Sequence, residues 1–122
     1  MSNIFELLSK IEQKPGLYIG NASLTALRQF LVGYKFARQE MGILPSDEEL
    51  DFYQNFQPWL QIHFHVQTVN SWDKIILFKY IDEKTAFASF FQLLTEFRQR
   101  DKSKDIDPIL VESSSTNTEK VA

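Results

Sequence analysis

Apolar side chains recur at helical spacing along most of the chain. Ile4, Leu7, Leu8 and Ile11 share one face of a helix predicted over 3–13, with Glu6, Lys10 and Glu12 elsewhere. Lys14-Pro15-Gly16 ends it, because Pro disfavours helix in the residue before it and Gly permits positive φ. Leu17-Tyr18-Ile19-Gly20 reads as a compact extended segment or turn. Asn21 or Ser23 then caps a helix over 23–41. Its stripe is Leu24, Leu27, Leu31 and Tyr34, flanked by Phe30, Ala37 and Met41, and Arg28, Gln29, Lys35, Arg38 and Gln39 suit its solvent face. Gly33 in the middle costs about 1 kcal/mol relative to Ala, which points to close approach of another helix. Gly42 is a natural stop.

Residues 43–55 read as a linker with a short helical turn, in which Ser46 and Glu49 form a capping box. A principal helix is expected over 56–66, with Pro58 near its start. A strand is the alternative, since Leu60, Ile62, Phe64 and Val66 alternate with Gln61, His63, His65 and Gln67. The next segment, Trp72 to Tyr80 with Ser71 as cap, carries the same ambiguity, because Ile75-Ile76-Leu77-Phe78 also suits a central strand. Asp82 caps a last helix over 83–100, whose inner side holds Phe87, Phe90, Phe91, Leu94 and Phe97.

The composition changes after Arg100. Residues 101–122 contain no aromatic and a single small apolar patch, Ile109-Leu110-Val111, and read as a flexible tail behind one helical domain at 1–100. Eleven Phe raise the aromatic content to 14%, enough for a short chain to build a substantial core. The absence of Cys removes disulfides and thiolate chemistry. A net charge of −3, with Lys and Arg scattered singly, argues against direct nucleic-acid binding and is better suited to a basic partner. No segment approaches the roughly 20 apolar residues of a membrane span, and the N-terminus lacks a secretory signal, so a cytoplasmic location is expected.

Candidate chemistry is sparse. His63 and His65 would share a side on a strand, but on a helix they point about 200° apart and cannot share a metal; no third ligand at suitable spacing accompanies them. No Ser lies in a Gly-x-Ser-x-Gly elbow. The chain is therefore read as a non-enzyme without cofactor or metal. The sharpest charge feature is a run of four acids within five residues, Asp47, Glu48, Glu49 and Asp51. It lacks the glycine-containing loop of a calcium site, and reads as a helix cap or a partner-binding surface.

The segment Lys14-Pro15-Gly16-Leu17-Tyr18-Ile19-Gly20 resembles one near the start of the ATPase subunit of type II topoisomerases. The Glu and Asn of that family's following helix have no counterparts between Leu24 and Met41, and the later glycine-rich motifs are missing. A second resemblance runs over about residues 3–98: Pro15-Gly16-Leu17-Tyr18-Ile19-Gly20, Ser23-Leu24, Phe30-Leu31 with Gly33-Tyr34, Phe56 with Trp59-Leu60, Trp72, and Ala86-Phe87 with Phe90-Phe91, Leu93-Leu94 and Phe97. This order is similar to that of small bacterial proteins found beside polymorphic toxins, including immunity proteins of contact-dependent growth inhibition. The resemblance implies a cytoplasmic antidote that binds a cognate toxin domain, often a nuclease, and occludes its active site or substrate surface. It carries over no site residue.

The expectation is thus an all-α bundle of about five helices around an aromatic-rich core, with α+β as the alternative if 60–66 and 74–80 pair as strands. The expected function is toxin neutralisation by a monomer or weak homodimer. Partner contacts are assigned to Asp47, Glu48, Glu49 and Asp51, to Asp82 and Glu83, and to Tyr53 as an anchor. A self-associating structural or regulatory module is the competing class.

Overall fold

A computed structural model describes residues 3–105. Six α-helices succeed one another: α1 (Ile4–Gln13), α2 (Pro15–Ile19), α3 (Leu24–Glu40), α4 (Asp47–His63), α5 (Trp72–Tyr80) and α6 (Glu83–Gln99), followed by a 3-10 turn at Lys102–Lys104. No strand occurs among the described residues. The all-α reading therefore stands and the α+β alternative falls.

Local chemistry accounts for most boundaries. The Asn3 side chain accepts the Phe5 and Glu6 N–H groups at the start of α1, Ser23 accepts from Ala26, and Asp82 accepts from Thr85. These are the orphan donors that every helix start leaves. Past α3 the chain turns through Gly42 at φ 72°, and the Ile43 N–H reaches back to the Arg38 carbonyl at 2.9 Å.

Four local expectations are corrected. Pro15, pre-set for helical φ, opens the short α2 where an extended segment or turn was expected, so the described residues hold six helices against the expected about five. The linker expected over 43–55 and the helix expected over 56–66 are replaced by one helix. The Ser46–Glu49 capping box starts α4 at Asp47, and the buried stripe Phe52, Phe56 and Leu60 carries it through Pro58. Pro58 has no N–H to donate to the carbonyl of Gln54, an exposed residue one turn back. Ser71 precedes α5 but makes no side-chain cap; its hydroxyl is hydrogen-bonded to Asp73. Finally, among the described residues no helix packs against Gly33: a Cβ built there meets nothing within 4 Å.

The core is an aromatic hub. Phe56 meets Phe97 at 5.3 Å, Trp72 at 5.6 Å and Phe90 at 5.7 Å between ring centroids, each edge to face. Trp72 stacks on Phe90 at 5.0 Å. Such geometries align ring edges with ring faces and add to the burial of apolar area. Ile4, Leu8 and Ile11 of α1 and Leu24, Leu27 and Leu31 of α3 close the core from the other side. Within α4 the period-two pattern breaks: Leu60 is buried whereas Ile62 is exposed, because the helix is oriented by its upstream aromatic stripe.

The tail expected over 101–122 lies outside the described residues from 106 onward. Its first part is held: Arg100 donates from Nε and Nη2 to the two Asp105 oxygens, both at 2.9 Å.

Candidate partner-binding surface

The acids predicted to face a partner are divided by the fold. Glu49 is buried, 1% exposed. Its Oε2 accepts the Ile4 N–H at 2.9 Å and its Oε1 accepts the Ser46 N–H at 2.8 Å, so one carboxylate joins the start of α1 to the start of α4. The Arg38 guanidinium lies 3.9 Å away. Glu83 fastens α6 to α3. Its Oε1 accepts from the Thr25 N–H at 2.9 Å and the Ser23 hydroxyl at 3.1 Å, and its Oε2 accepts from the Thr25 hydroxyl at 2.6 Å. The Thr25 hydrogen bonds, with that of Ser23, hold the Glu83 carboxyl below the usual glutamate range.

Asp51 is engaged in the same way. Arg100 donates to it at 2.8 and 3.1 Å, and Asn55 donates at 2.8 Å. Burial by itself would raise the Asp51 carboxyl, but the bonds from Arg100 and Asn55 outweigh it and leave it lowered. Asp82 is exposed and caps α6 through the Thr85 N–H at 2.8 Å. That backbone hydrogen bond lowers its carboxyl. Asp47 and Glu48 remain exposed on the first turn of α4. Glu48 stands 3.5 Å from Arg98, an open pair that contributes little.

Tyr53 is half-buried beside a groove between α3 and α4, about 410 Å³ in volume. Leu31, Phe52 and Trp72 line it together with Val32 and Phe36, which are 52% and 61% exposed. The Lys35 ammonium lies 4.4 Å from the Tyr53 ring centroid, and the Arg28 guanidinium 5.7 Å from that of Trp72. Burial, reinforced by the nearby Glu49 charge, pushes the Tyr53 phenol up to about 12. Beyond the groove the α3–α4 loop leaves Met41 and Leu44 exposed just before Asp47 and Glu48.

Val32 and Phe36 were missed by reading α3 for its polar face. They lie one turn apart among the polar residues of that face, a spacing visible in the sequence. A second opening, about 360 Å³, lies between α4 and the chain's last described turn, lined by Pro58, Trp59, Ile62 and His63. His63 stacks on Trp59 at 4.9 Å. His65 lies past the helix end at φ 56°, so the two imidazoles share no strand face. No group of three or more His, Cys, Asp or Glu among the described residues is placed to hold a metal ion. No described helix is long and apolar enough to cross a membrane.

Set against known proteins, the chain matches no family model, no curated protein and no solved structure.

Proposed function

We propose that this chain is a cytoplasmic immunity protein that binds a cognate toxin domain, a nuclease by preference, and occludes its active site or substrate surface. The observation that carries the binding role is the α3–α4 groove: an aromatic-lined cleft whose Val32 and Phe36 project outward. With Val32 52% and Phe36 61% exposed, completing their burial would recover roughly 1–2 kcal/mol each, which a partner surface would supply. Tyr53 serves as the rigid anchor, since aromatic residues in desolvated pockets dominate interface energy. Asp47 and Glu48 pair with basic groups that a nuclease uses to hold phosphate. The toxin itself comes from the family resemblance over residues 3–98.

The test is growth rescue and co-purification with the C-terminal domain of the large secreted protein encoded upstream. Wild type rescues growth, and Phe36→Asp loses rescue while keeping its helical circular dichroism. Unchanged rescue by Phe36→Asp rejects this face, and an upstream metabolic operon counts against immunity altogether. A self-associating module is the second reading, favoured by the unpacked Gly33 on the outer side of α3. A clean monomer in sedimentation at micromolar concentration removes it.

A further inference from the structure

The α3–α4 groove is chemically one-sided. Arg28 and Lys35 line it, and no carboxylate does so among the described residues, although the chain as a whole carries a net charge of −3. Both cations are held over aromatic faces, Arg28 over Trp72 and Lys35 over Tyr53. Stacking fixes their direction, and Lys35 makes no ion pair among the described residues. Arg28 also stands 3.8 Å from the buried Asp73 but keeps a 30% exposed side chain. On α3 the two cations are seven residues apart, or about 10.5 Å along the axis at ~1.5 Å per residue. Val32 projects between them and Phe36 follows Lys35.

We propose that this groove receives an acidic, apolar helix of a partner protein. Two partner carboxylates spaced two helical turns apart would answer Arg28 and Lys35, and aliphatic side chains between them would pack on Val32, Phe36 and Trp72. A helix supplies this pattern because residues two turns apart return to the same face. Nucleic acid fits the same surface less well. Two cations release few counterions, and Val32 and Phe36 offer no hydrogen bonds to bases or phosphates. The inference rests on the groove being the partner-binding face, and it names the chemistry of what enters.

The probe is a capped, labelled, alanine-rich synthetic helix with two Glu two turns apart and Leu between them, alongside its Lys-for-Glu counterpart. Binding to the full chain is read by fluorescence anisotropy at low and physiological salt. The Glu helix is expected to bind at least about tenfold more tightly than the Lys helix and to weaken with salt. Lys35→Glu, at an exposed position stacked on Tyr53, reduces that preference, and Arg28→Gln with Lys35→Glu, which puts no new charge beside the buried Asp73, abolishes it. Equal binding of both helices, no change on Lys35→Glu, or tighter binding of a single-stranded RNA oligomer overturns the proposal. If the charge swap fails while Phe36→Asp still abolishes growth rescue, the acidic-helix inference falls and the groove stands. If the helix binds as expected but Phe36→Asp rescues growth normally, the toxin-binding reading of this face falls instead.

Discussion

Glu49 offers a demanding test, because the sequence suggests a surface acid and the fold makes it internal. Glu49→Ala removes acceptors from two backbone donors, those of Ile4 and Ser46. Ile4 is fully buried, and leaving its N–H without a partner costs about 1–3 kcal/mol. Losing the reciprocal half of the capping box adds about 1 kcal/mol, and the Arg38 guanidinium, 16% exposed, loses its carboxylate. Together these predict a loss of about 2–4 kcal/mol. At a urea dependence of ~1.5–2 kcal/mol per molar, the unfolding midpoint followed by circular dichroism falls by roughly 2 M. Glu49→Gln keeps one acceptor but turns an NH2 toward the other donor, so about half the loss is expected. Affinity for the partner, corrected for the folded fraction, stays at the wild-type value for both variants. A loss under about 1 kcal/mol for Glu49→Ala, or reduced affinity at unchanged stability, would refute the internal role and return Glu49 to the binding surface.

Three further outcomes follow from the same geometry. Gly33→Ala raises stability by about 1 kcal/mol in urea unfolding, since the added methyl meets nothing within 4 Å; a loss would mean that α3 packs there against something. Ile81, a β-branched residue at φ 76° after α5, gains about 1–2 kcal/mol on Ile81→Gly, seen as a rise of several degrees in Tm, and an unchanged or lower Tm contradicts strain at this corner. Glu83, whose carboxyl the Thr25 and Ser23 bonds hold low, stabilises the fold fully above the usual glutamate range and loses that contribution as pH falls through its lowered value. The stability gap between wild type and Glu83→Gln is therefore widest at neutral pH and narrows in acid; a gap independent of pH would exclude the ionised carboxylate as its source.

Helix-forming character, the caps at Ser23, Ser46 and Asp82, and the inner aromatic stripe of α6 were all legible along the chain. They depend on neighbours within four residues, and local spacing carries that information. The extent of α4 was not. A capping box and a proline point to separate elements, and only packing of Phe52 and Phe56 onto Trp72 and Phe90 shows that one helix runs through both. The candidate site was legible only in part. Tyr53 borders the groove, whereas Asp51 and Glu83 read as surface charge, and Glu49 as a capping-box partner or surface charge, until their distant partners came into view at Arg100, Thr25 and Ile4, 45 to 58 residues away. A carboxylate looks the same in a sequence whether it faces water or an orphan N–H. Which of the two it meets depends on distant segments brought together, and that is settled when the helices pack.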